Sequence, residues 1–196
     1  MHKYLSIIII ACGFLSCGED SSSDYKTEIK AHRKEITKKF LIRESSPLED
    51  KDRTYFVGLN YFEIKPEYKV WAQIQKETRK INLSLSTTGE RMADYNKYGL
   101  LNFELNGKKL QLQAFSTDNE EGTTVFVPFA DLSNGKSTYE SGRYIDLALS
   151  DSNYVVLDFN KAYNPYCAYN KDYSCVVPPP ENRLDIMLEA GEMKYH

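Results

Sequence analysis

From Tyr68 to Ala190 the chain keeps returning to a period of two. Tyr68, Val70, Ala72 and Ile74 alternate with polar residues apart from Trp71, and so do Ile81, Leu83 and Leu85. Leu101, Phe103 and Leu105 repeat the pattern, followed by Leu110, Leu112 and Ala114. Successive side chains of a strand leave opposite faces, so short alternating runs predict strands with one face in a core. Asn106-Gly107 between the last two runs predicts a tight hairpin, because both residues tolerate the positive φ of a type I′ turn. Residues 123–129, 143–149, 154–159 and 184–190 are further strand candidates. Eight strands spaced by turn residues predict a mainly β chain, a single sandwich- or barrel-like antiparallel domain. An aromatic share of 13%, most of it tyrosine, agrees with β-structure.

Ahead of the strands the period becomes helical. Tyr25, Ile29, His32, Ile36 and Phe40 recur at steps of three and four, one face of an N-terminal amphipathic helix with Asp24 as its N-cap. Residues 26–43 hold seven basic and two acidic side chains, which predicts lysines in solvent or against anionic headgroups. Ser46, Pro47 and Glu49 have the spacing of a capping box and predict a second, short helix.

The first residues read as an address. Lys3 precedes an apolar stretch from Leu5 to Leu15, about half the length that a membrane-spanning helix needs and typical of a signal-peptide core. Phe14-Leu15-Ser16-Cys17 resembles the lipobox of bacterial lipoproteins, in which the cysteine is acylated and becomes the mature first residue. Ile9-Ile10-Ala11-Cys12 fits the same letters but leaves the apolar core too short. The expected organisation is a signal peptide over 1–16, an acidic and serine-rich tether over 17–23, and one β-rich domain over 24–196. Gly18-Glu19-Asp20 resembles the acidic stretch of surface-exposed lipoproteins in the Bacteroidetes. An outer-membrane lipoprotein of the cell envelope, held to the membrane by lipid on Cys17, is the expectation.

Processing there would leave Cys167 and Cys175. An even pair in an exported protein predicts a disulfide, with free thiols as the alternative. With seven residues between them, loop closure contributes about 2.5 kcal/mol. A metal would need two more ligands, and only His32 and His196 remain beyond the signal. No metal and no cofactor is predicted. The net charge of −3 argues against nucleic acid as a partner.

Residues 160–182 have no period. They hold Tyr163, Tyr166, Tyr169, Tyr173, four asparagines, both late cysteines and Pro178-Pro179-Pro180. A loop of that length in a compact domain is functional or tied down, here by the disulfide and a polyproline connector. Around it the residues become recognisable. SPLEDKDRTYFVGLNYF, VFVPFADLSNGKSTYESGRYIDL, LDFNKAYNPYCAYNKDYSCVVPPPENRL and AGEMKY resemble, in that order, the blocks of a bacterial family called domain of unknown function 1684. The resemblance runs over roughly residues 30–195. It implies a set of motif residues and no particular activity.

Arg143, Asp146, Asp158, Asn160, Asn164, Glu181, Asn182, Arg183 and Glu192 gather in the last third of the chain. Together with Tyr166, strand ends that bring Arg143, Asp158, Asn160, Asn164, Glu181, Asn182 and Arg183 to one place would form a tyrosine-lined cleft for a small molecule, a glycan or a partner protein. The bland alternative is scaffolding, in which Arg143, Asp158 and Arg183 brace the loop through charge-assisted bonds. Catalysis by two carboxylates, Asp158 with Glu181 or Glu192, would suit an envelope hydrolase, but no catalytic residue is assigned. A lipid-anchored binding or structural module is the first expectation and the hydrolase the second.

Overall fold

The structure, a computed structural model, describes residues 19–117 and 124–196, with side chains from residue 22 onward. Strands β1 (Lys69–Lys76), β2 (Asn82–Ser86), β3 (Met92–Leu105), β4 (Lys108–Ser116), β5 (Thr124–Phe129), β6 (Arg143–Ala148) and β7 (Tyr154–Asp158) form one antiparallel sheet. Its order is β6-β5-β4-β3-β1-β7, with β2 paired to β3 off that path. The alternation read in the sequence sets the inner face: Ala72, Ile74, Leu101, Phe103, Leu105, Leu112 and Ala114 are all buried in one core. Asn106 and Gly107, at φ of 51° and 73°, close β3 onto β4 as the hairpin requires.

β3 is longer than its sequence run because it serves two neighbours. Its first part, from Met92 to Asn96, pairs with β2, and its second, from Gly99 to Asn102, pairs with β1. The register against β4 shifts between Lys97 and Gly99, a bulge that bends the strand and curls the sheet. The result is a nearly closed, barrel-like sheet whose open seam lies between β6 and β7. Tyr144 of β6 spans it, exchanging backbone N–H···O bonds of 2.9 and 3.0 Å with Tyr163, just beyond β7.

The eighth expected strand, 184–190, is not in the sheet. Its alternation is real, since Leu184, Ile186, Leu188 and Ala190 are buried, but its backbone partners are a loop and a side chain. Leu184 N–H donates to the Ala130 carbonyl and Leu132 N–H to that of Ile186. The Arg143 guanidinium takes the carbonyls of Leu188 (2.9 Å), Ala190 (2.5 Å) and Glu192 (3.3 Å), and Asp131 Oδ1 accepts from Leu188 N–H. A period of two reports which side chains turn inward; it does not report what the backbone bonds to.

Helix α1 (Glu19–Leu41) starts before Asp24, so that residue is not its cap. Tyr25, Ile29 and Phe40 are buried, with Ile36 packed beside them. The second helix, α2 (Asp50–Arg53), starts later than the capping box predicts, and Glu49 is its cap without a side-chain bond. Ser46 Oγ instead accepts from the N–H of buried Leu48, so the Ser-Pro pair shapes a turn that seats Leu48 under Phe40. Among the described residues no helix is long and apolar enough to cross a membrane. The expected signal peptide over 1–16 and the expected acylation at Cys17 fall outside the described residues.

Arg143 and Asp131 are joined at 2.9 Å with both side chains fully buried. Arg143→Met would leave a buried carboxylate without its cation and three carbonyls without donors. The expected loss is about 3–5 kcal/mol in urea unfolding. A loss under about 1 kcal/mol would mean that the C-terminal segment is held by its apolar side chains alone.

Candidate functional site

The turn after β7 holds α1 against the barrel. Asp158 Oδ1 accepts from the backbone N–H of Asn160 (3.0 Å) and from the Tyr25 hydroxyl of α1 (2.8 Å). Asn160 Nδ2 donates to the Tyr25 oxygen and to the Lys65 carbonyl, and its Oδ1 accepts from Lys65 N–H. Burial first, then the bond to Asp158, pushes the Tyr25 hydroxyl pKa well above its ordinary range. Tyr25 is thus a neutral donor at every physiological pH, which is what a fixed brace requires.

Beside this brace, α1 and the 160–169 segment enclose a cavity of about 370 Å³. His32, Ile36, Lys39 and Phe40 come from α1; Asn160, Lys161, Tyr163, Asn164, Tyr166 and Tyr169 come from the segment; Tyr61, Asp146 and Glu192 complete the wall. Glu192 is 2% exposed. Its carboxylate accepts from Asn164 N–H (3.0 Å) and from the Tyr169 hydroxyl. Burial raises its pKa to about 7, against the opposing pull of those bonds and of Arg143. Gly191 places it there: at φ 77°, a Cβ would sit 2.6 Å from the carbonyls of Phe159 and Ala162, so only glycine lets the chain cross that turn.

Asn164 has one group left over. Its Nδ2 donates to the Met193 carbonyl at 2.8 Å, which fixes the amide orientation and makes the other atom the oxygen. That Oδ1 is buried without a partner, a cost of about 1–3 kcal/mol in an empty site. Asp158 Oδ2 is likewise buried and unpaired.

The residues singled out in the sequence therefore separate into three groups. Asn160, Asn164 and Tyr166 line the cavity. Arg143, Asp158 and Asn182 are buried braces: Asn182 bonds both backbone groups of Gln113 and the Pro128 carbonyl, bridging β4 and β5. Glu181 and Arg183 are exposed away from the cavity, so Arg183 does not brace the loop and Asp158 does not share a cleft with Glu181. Neither expected carboxylate pair lines the cavity; Glu192 and Asp146 do. Asp131, the partner of Arg143, and Tyr61 show in the sequence only as parts of motif blocks, and His32 only as a helix-face residue. Among the described residues no group of three His, Cys, Asp or Glu is placed to hold a metal.

No disulfide ties the loop. Cys167 and Cys175 are free, and Cys167 N–H donates to Cys175 Sγ at 3.1 Å. A hydrogen bond from Cys175 leads in lowering the Cys167 thiol to about pKa 6. Main-chain bonds do the tying instead: 3₁₀ turns at Phe159–Lys161, Tyr166–Ala168 and Pro180–Asn182, the bridge from Tyr163 to β6, and Val177 N–H to the Ser86 carbonyl. Pro179, at φ −65° and ψ 156°, is the polyproline element expected there.

Because folding raises the Glu192 pKa, its contribution to stability is complete below pH 4.5 and is lost as pH climbs to about 7. The loss is on the order of 3 kcal/mol. Glu192→Gln, which cannot ionise, should therefore gain on the native chain between pH 4.5 and 7.5 by that amount. A difference in unfolding free energy that stays constant with pH would show that Glu192 titrates normally.

The family described as protein of unknown function (DUF1684) matches residues 54–193. No curated protein matches. The solution NMR structure of an uncharacterized protein from Haloarcula marismortui is similar, with a TM-score of 0.72 and 36% identity over 89% of this chain and 97% of that one. The match spans both the barrel and the cavity-lining segment, and the chain belongs to the DUF1684 family.

Proposed function

We propose that this protein is a lipid-anchored module of the cell envelope that binds a small molecule in the cavity between α1 and the 160–169 segment. The observation that carries the reading is Asn164, which lines the 370 Å³ cavity and holds a buried side-chain oxygen without a hydrogen-bond partner. Native proteins satisfy such atoms, and a ligand donor would satisfy this one. The amphipathic reading of α1 supports the same picture, since its inward stripe builds one wall, with Lys39 at the cavity and its other lysines outside. Lipid on Cys17, at the outer membrane, would keep the cavity within reach of envelope solutes. The hydrolase reading is weaker, because Asp158 and Glu181 do not line the cavity.

Two measurements test this. Native mass spectrometry of the purified full chain should show a bound small molecule that Tyr166→Ala weakens, Tyr166 being half exposed at the wall. Cys17→Ala should leave the membrane fraction after a carbonate wash. A mutant that stays in the membrane as firmly as the native chain would end the lipoprotein reading without touching the cavity.

A further inference from the structure

The cavity wall carries both hydrogen-bond acceptors and cations. The Tyr169 hydroxyl proton is spent on Glu192 and the Tyr163 hydroxyl proton on Asp146, at 2.8 Å. Both oxygens keep lone pairs. Asn164 Oδ1 is free, and the Glu192 carboxylate keeps lone pairs beyond its two bonds. Among the described residues no cation bonds that carboxylate: Arg143 gives its two terminal nitrogens to Asp131 and to main-chain carbonyls, and its Nε is buried without a partner. Lys39 and Lys161 line the cavity from the α1 side and the turn after β7, and Lys161 is bonded to Glu28 at 2.6 Å.

We propose that the cavity takes a small molecule carrying a protonated amine, seated against Glu192, Asn164 and the surrounding tyrosines. This rests on the cavity being the ligand site. An ammonium group has three donors and no acceptor, the complement of that wall, and tyrosine rings attract it further. A neutral polyol would leave the Glu192 charge uncompensated, and an anion would meet Glu192 and Asp146. Lys39 and Lys161 in the same wall select an amine whose far end is anionic over a diamine.

Glu192 is faced by Tyr61, Tyr169, Asn164 and Arg143, none of which titrates between pH 6 and 8, so amine affinity should rise across that range as Glu192 ionises. Titrating the full chain at pH 8 with butylamine, γ-aminobutyrate, 1-butanol and butyrate, followed by tyrosine NMR shifts, tests the assignment. Butylamine should bind at least about tenfold more tightly than 1-butanol or butyrate, and γ-aminobutyrate more tightly still. Glu192→Gln should weaken both amines about tenfold. Lys39→Glu, at an exposed position, should remove the advantage of γ-aminobutyrate and spare butylamine. The proposal is overturned if 1-butanol or butyrate matches butylamine, or if a folded Glu192→Gln chain binds amines unchanged. Should Glu192→Gln not fold, the Lys39→Glu result and the four-ligand series decide. If glucose binds where no amine does, the amine assignment falls and the cavity reading stands; if neither class binds, both fall.

Discussion

A guanidinium with no exposed surface organises the C-terminal half of this fold. Arg143 opens β6, the strand at the edge of the sheet, where a barrel would ordinarily gain another neighbour. Instead it reaches across to a segment that is extended but outside the sheet, and it supplies the donors that a neighbouring strand would have supplied. Asp131 makes this affordable by neutralising the charge and by accepting from Leu188 and Ser133 N–H. A buried ion pair is a weak source of net stability. Its value here is positional: it fixes where residues 188–192 run, and hence where Glu192 stands. The cavity inherits its geometry from a charge pair that does not line it.

The other wall depends on a second device with the same logic. The N-terminal helix makes few backbone bonds to the barrel, so its placement rests on side chains: an apolar stripe and the Tyr25–Asp158–Asn160 cluster. Arg33 adds a bond to the Phe62 carbonyl and sits over the Tyr61 ring at 4.5 Å. Two polar clusters thus set two independently positioned walls, one carried by β6 and the other by the turn after β7. The cavity lies where they meet because the seam between those strands is closed by Tyr144 and Tyr163 rather than by a ladder. A fully closed barrel would have no such opening.

How much of this was legible in the sequence follows from what each signal measures. Alternation measures inward and outward facing, so seven strands and the burial of 184–190 could be read, while the backbone partners of 184–190 could not. Asn106-Gly107 specifies a turn by φ alone and was sufficient. The Ser46-Pro47-Glu49 pattern misleads because a capping box and a serine turn use the same Ser46 Oγ, which accepts from the N–H three residues on in the first and, as here, two residues on in the second. Tertiary packing of Leu48 decided between them. Loop order was assigned to a disulfide because cysteines are conspicuous, whereas the bonds that hold the loop are backbone groups that every sequence contains.

The site residues show the same limit more sharply. Asn160, Asn164 and Asn182 look alike in sequence, three asparagines flanking one loop. In the fold Asn160 spends both ends on Lys65 and Tyr25, and Asn182 spends both ends on Gln113 and Pro128. Only Asn164 retains an atom with nothing to bond. Residue type therefore marks where polar groups must be buried, and among these three asparagines hydrogen-bond saturation separates the two braces from the one that still needs a partner. Asp131 and Asn182 make the cavity possible by being satisfied, and Arg143 does so through its two terminal nitrogens. Asn164 gives it a chemical preference by being left incomplete.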